Sequence, residues 1–180
     1  MPGLKFRVLL DTKENQEIFR DILVPHEASF EDFYKVIISS FQFKGDQMAS
    51  FYVSNEDWDK GHEISWMDLS FGDEHEDESP SIMSSTPIHE FIEEKEQKFI
   101  LVYDFLKMWI FLVELISYEK ETPSEVQLVL SVGDAPDEDS KEVSEETFEG
   151  DSLDKDTIGF DDMEDGYDEE DFGGFEEFEY

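Results

Sequence analysis

Cysteine is absent from the 180 residues, which removes disulfides, thiolate metal sites and cysteine nucleophiles from consideration. Basic residues are scarce: 13 Lys and Arg stand against 49 Asp and Glu, for a net charge of −36. Proteins that grip phosphate backbones need clustered Lys and Arg, so no direct nucleic-acid binding is expected. The same deficit argues against docking on anionic membrane surfaces. Phosphate-binding glycine loops, a GxSxG nucleophile elbow and a GxGxxG dinucleotide fingerprint are all missing. The N-terminal run Leu4-Lys5-Phe6-Arg7 alternates charge with apolar residues too early to form a signal-peptide core. The most apolar window, Phe99 to Tyr118, contains Asp104, Lys107 and Glu114. Each would cost about 2.5–3.5 kcal/mol near a bilayer centre, so the window reads as two buried strands joined by a turn at Asp104–Lys107. The expectation is a soluble, cytoplasmic protein with no membrane association.

What the chain does have is acid, concentrated at one end. Residues 134–180 hold 22 of the 49 carboxylates and two of the 13 basic residues, Lys141 and Lys155, which places −20 of the −36 there. Charge at that density repels itself, and few apolar residues are available to offset the entropy of ordering. The reading is therefore two parts: a globular domain over 1–133 and an acidic, aromatic-containing disordered tail over 134–180. The domain part is acidic too, so the expected partners are basic proteins or metal cations, or none, with the charge serving solubility.

Before the tail, hydrophobic periodicity places the elements. Leu4, Phe6, Val8 and Leu10 alternate as a strand faces its core, and Glu17 to Val24 returns as its hairpin partner. Phe30, Phe33, Tyr34, Ile37, Ile38 and Phe41 fall on one helical stripe, with Ser29 as N-cap and Asp32 three residues on, close to a capping box. Met48–Ser54 and Glu63–Leu69 read as short strands around a turn. Thr86-Pro87 supplies the cap and first-turn proline of a second, short helix through about Glu94. Phe99–Tyr103, Met108–Tyr118 and Val126–Val132 complete the strands. The predicted fold class is α+β: a mostly antiparallel sheet of about six strands with two helices packed on it, followed by the tail.

Some of these residues carry a family resemblance over about 4–118. Phe19-Arg20-Asp21-Ile22-Leu23-Val24-Pro25 is similar to an opening hairpin in which an arginine precedes an apolar-x-x-apolar run. The amphipathic helix and aromatic strand follow in order, and Tyr103-Asp104-Phe105 with Trp109 resembles a later tyrosine-aspartate-phenylalanine motif. The chain resembles the family named after the third open reading frame of a root-inducing plasmid, also met as a transposon-passenger family. Tyr34 and Gln47 stand where members often carry histidine, Leu106-Lys107 replaces a glycine-aspartate turn, and the acidic tail replaces a Pro/Gly-rich carboxy-terminal motif. The family carries no settled activity, so the resemblance implies fold rather than chemistry.

Arg20, Tyr103, Asp104 and Trp109 form the candidate binding site, in which Arg20 would meet Asp104 beside two aromatics as a pocket floor or a structural ion pair. The four histidines, His26, His62, His75 and His89, show no HExxH spacing. The run Asp73–Glu78 reads as a solvated loop, and the partial calcium-loop echo from Asp154 to Asp165 lacks an oxygen ligand at Ile158. No metal, cofactor or catalytic residue is expected. The tail interleaves Phe148, Phe160, Tyr167, Phe172, Phe175, Phe178 and Tyr180 with its acids, and its last four aromatics, Phe172, Phe175, Phe178 and Tyr180, are candidate docking residues. Mixed segments of this kind can order on a basic, apolar groove of a partner or on their own domain, and an inert, solubilising tail is the third reading. The functional expectation is a non-enzymatic binding or accessory module whose tail engages a basic protein partner or mimics a polyanion. The alternative is a small, motif-poor enzyme with its site near Arg20, Tyr103 and Asp104.

Overall fold

The computed structural model of the chain describes residues 1–14, 16–68 and 81–143. These belong to a compact unit, Met1–Glu145; the second unit, Glu146–Tyr180, lies outside the described residues, as do Asp73–Glu78 and the four candidate docking aromatics of the tail. Strands β1 (Gly3–Leu10) and β2 (Phe19–Val24) form the opening hairpin, and helix α1 (Phe30–Ser40) follows. Then come β3 (Ala49–Ser54), β4 (Glu63–Ser65), β5 (Ser81–Ile82), β6 (Lys98–Tyr103), β7 (Trp109–Glu119) and β8 (Gln127–Val132). All eight strands make one sheet in the order β5-β4-β3-β6-β7-β1-β2-β8. Every pairing is antiparallel except β4 with β5, which makes the sheet mixed.

This architecture corrects the α+β expectation: among the described residues the fold is mostly β, with one α-helix on an eight-stranded mixed sheet instead of two helices on about six strands. The second helix fails for a local reason. Its supposed start is pinned in extended conformation against the chain entering α1. Thr86 O accepts from Phe30 N–H and Ile88 N–H donates to Ala28 O, each at 3.0 Å, and Ser29 bridges Pro87. The segment is thereby left with two single 3₁₀ turns, Met83–Ser85 and Ile88–Phe91. An isolated helix of so few residues cannot repay its nucleation cost. β4 falls inside the expected strand Glu63–Leu69 but is only three residues long, and β5, two residues long, is too short to leave a periodic signature.

The core lies between α1 and one face of the sheet. Ser29 caps Asp32 N–H and the Asp32 carboxylate caps Ser29 N–H, a complete capping box that sets where the helix begins. Its apolar stripe then meets four strands: Phe33 lies 4.9 Å from Phe6, Phe30 5.1 Å from Phe51 and 5.3 Å from Phe99, and Phe41 4.9 Å from Phe111. Each of these buried rings contributes about 1.5–3 kcal/mol relative to exposure. The Phe99–Tyr118 window resolves into β6 and β7 with a turn between them. Among the described residues, no helix is long and apolar enough to cross a membrane.

Candidate functional site

The candidate site sits at the end of the sheet where α1 finishes, β6 turns into β7, and the chain leaves β8. Asp104 opens that turn in left-handed conformation (φ 63°), a geometry that aspartate tolerates because its side chain bonds locally. Its Oδ1 accepts the N–H groups of Leu106 and Lys107 at 3.0 and 3.1 Å, and its carbonyl accepts from Met108 N–H. The carboxylate thereby closes its own turn between β6 and β7. It is buried and turned toward its own loop.

Arg20 lies elsewhere in the same end region. Strand alternation sends it to the core side of β2, where its guanidinium covers the Phe41 ring at 4.6 Å. Nε donates to Ser40 O at the helix C-terminus, and Nη1 is shared among the carbonyls of Phe19, Val132 and Gly133. A buried cation held by backbone dipoles, one of them at the negative end of α1, replaces the predicted pairing with Asp104. Burial lowers the Arg20 pKa, an effect opposed by the nearby Asp134 carboxylate. The bidentate Arg–Asp pair of this sheet is instead Arg7 with Asp21, at 2.8 and 2.9 Å across the β1–β2 register. Gly133, at φ 81°, lets the chain leave β8 against Glu17: a Cβ there would stand 2.6 Å from the Glu17 carbonyl oxygen.

Tyr103 and Trp109 do come together, one as the last residue of β6 and the other as its partner at the start of β7. Both pack on Phe43, with ring centroids 5.7 and 4.9 Å away. The Tyr103 hydroxyl accepts from Gly45 N–H at 3.0 Å and donates to Glu138 Oε2 at 2.8 Å. Burial, and then the Glu138 carboxylate, push the Tyr103 hydroxyl pKa well above its usual range. The Trp109 indole N–H is buried without a hydrogen-bond partner among the described residues, and the Lys141 ammonium stands 5.2 Å over the ring.

Sequence reasoning placed Glu138 and Asp139 in the acidic tail and missed their contacts with this end of the sheet. Glu138 is buried, its Oε1 accepting from Lys44 N–H at 2.6 Å. Asp139 stands between two lysines, 3.7 Å from Lys44 Nζ and 3.5 Å from Lys107 Nζ. Around them lies a half-open cavity of about 220 Å³, lined by Lys44, Asp46, Asp104, Lys107, Glu138 and Asp139. The scarcity of lysine was the one available signal: two of the few cations of this chain flank one acidic segment.

A second group of polar side chains gathers at the other end of α1. His26, Glu27 and His89 bring one donor atom each to within 4.8 Å of one another. The histidine rings stack 4.8 Å apart at 9°, and His89 Nε2 lies 3.7 Å from Glu27 Oε2. No spacing rule finds this group, because the fold, through the Ser29–Pro87 bridge, joins segments far apart in sequence.

The chain is similar in fold to the crystal structure of MM3350, a protein of unknown function from Methanosarcina mazei Go1, with a TM-score of 0.63 and 17% identity over 78% of this chain and 75% of that one. At that identity the likeness speaks for the fold alone. No curated protein matches. A profile of plasmid pRiA4b ORF-3-like proteins matches residues 3–172, nearly the whole chain, and the chain belongs to that family.

Proposed function

We propose that this chain is a non-enzymatic binding module whose acidic C-terminal segment engages a basic protein partner. The observation that carries the reading is the seat of Asp139 between Lys44 and Lys107, beside the buried Glu138. It is a small instance, within the chain, of an acidic segment meeting lysines at a sheet end. Beyond it the sequence continues with 18 of the 22 acids of residues 134–180 and all seven tail aromatics, far more than that one contact uses. A surface of lysines and apolar pockets on another protein fits the remainder, through screened charge attraction and desolvated ring contacts. A cytosolic setting accords with the absence of cysteine.

The polar groups of the predicted site support a structural role for it over an enzymatic one. Arg20 donates to backbone carbonyls, Asp104 accepts from its own turn, and the Tyr103 hydroxyl is engaged on both sides. Affinity capture tests the reading: the full chain is expected to retain a lysine-rich partner that a chain ending at Glu145 does not. Equal capture by both would overturn it.

A further inference from the structure

We propose that His26, Glu27 and His89 form a binding site for a divalent transition-metal ion of the zinc and nickel kind. This inference is independent of the role proposed for the acidic segment. The donors come from two segments, the β2–α1 connection and the 3₁₀ turn Ile88–Phe91, and both are held in place before any ion arrives. Ile88 N–H donates to Ala28 O, Phe30 N–H donates to Thr86 O, and the Ser29–Pro87 bridge lies between them. His26 is tied from its other side by its backbone N–H, which donates to the Thr122 hydroxyl at 3.2 Å. The ligand backbones are thus pre-set, and side-chain rotation is all that binding asks.

The chemistry of the set selects the class of ion. Two imidazoles and one carboxylate suit borderline cations such as Zn²⁺ and Ni²⁺, whereas Ca²⁺ and Mg²⁺ take oxygen ligands. His26 Nδ1 is buried and has no hydrogen-bond partner among the described residues, so a nitrogen that ordinarily finds one is left for a ligand. Metal–ligand bonds of about 2.0–2.1 Å place tetrahedral donors roughly 3.3 Å apart. The donors here lie within 4.8 Å of one another, and the Glu27 side chain, 72% exposed, is free to swing inward. Three protein ligands leave a fourth position open to water or an incoming ligand. Glu27 also lines a cleft of about 480 Å³ with Pro25, Asp32, Lys35, Ser124 and Val126.

The abundance of carboxylates sets the design of the test, because an acidic chain attracts any cation weakly. Co²⁺, whose visible absorption reports nitrogen coordination and a low coordination number, is titrated into the full chain in millimolar Mg²⁺, and Zn²⁺ is then used to displace it. One equivalent is expected to develop intense visible absorption. His26→Gln and His89→Gln are each expected to weaken binding at least tenfold, and Glu27→Gln, at an exposed position that the fold does not depend on, several-fold. Melting in a chelator checks that each histidine variant is folded; for any that is not, Glu27→Gln decides. Absorption and affinity unchanged in the folded variants would assign the ion to the carboxylates at large and overturn the proposal. So would the absence of an intense band in the wild-type chain.

Discussion

The Tyr103 hydroxyl donates a 2.8 Å hydrogen bond to Glu138, which joins the last residue of β6 to the segment beyond the final strand. Through that bond, and through Glu138 to Lys44 N–H, the start of the acidic C-terminal region becomes part of the sheet end. Glu138→Ala would leave the Tyr103 hydroxyl and a backbone N–H without their acceptor, and each hydrogen bond to a charged group is worth about 1.5–3 kcal/mol. The expected loss is roughly 2–4 kcal/mol by urea denaturation. A chain ending at Gly133 should melt cooperatively but roughly 5–15 °C below one ending at Glu145. Equal melting temperatures would show that Glu138 adds nothing to the sheet end.

Arg20 holds four backbone carbonyls with one planar cation, and a lysine ammonium cannot reproduce that fork. Arg20→Met should therefore cost at least about 3 kcal/mol, since the carbonyls lose a charged donor. Arg20→Lys should recover little of it. Denaturant midpoints measure both, and values for either variant within about 0.5 kcal/mol of wild type would contradict the structural role. Rescue by lysine would point to bulk charge instead of geometry.

Much of the fold was legible because it rests on periodic signals. The spacing of Phe30, Phe33, Tyr34, Ile37 and Ile38 placed α1, and Ser29 with Asp32 marked its start. The alternation of Leu4, Phe6, Val8 and Leu10 placed β1, and all four are buried. The failures lie where long-range backbone bonds overrule local preference. Thr86-Pro87 carries helix-start residues, yet its backbone is committed to Ala28 and Phe30. The same held for the site: Arg20 was singled out as a partner for Asp104, but its partners are carbonyls, which carry no sequence identity. Glu138 was submerged in a run of acids, and His26 and His89 meet only through the fold.

Burial raises the hydroxyl pKa values of Tyr34, Tyr52 and Tyr103 above the ordinary 10.0, helped by Glu138 at Tyr34 and Tyr103 and by Glu63 at Tyr52. The unfolded chain releases these protons near pH 10 while the folded chain keeps them. Their contribution to stability is therefore complete below pH 10 and is lost progressively as pH rises above it. Three such groups steepen the alkaline loss to as much as roughly 4 kcal/mol per pH unit. Denaturant titration between about pH 9 and 12 should show the decline, and Tyr103→Phe should make it shallower. Stability constant to about pH 11 would contradict burial of these hydroxyls.

The role assigned to the C-terminal segment has two separable parts, charge and rings. Charge attraction between exposed groups is screened beyond roughly 8 Å at physiological ionic strength, whereas desolvated ring contacts resist salt. Replacing Phe172, Phe175 and Phe178 by Ser removes rings and leaves every charge in place. The most direct measurement is the affinity of the captured lysine-rich partner for the full chain and for this triple variant, across a salt series. The account predicts that the variant binds at least tenfold more weakly at equal salt, with the same salt slope. Equal affinity would reduce the segment to a polyanion and contradict specific docking of its aromatic residues.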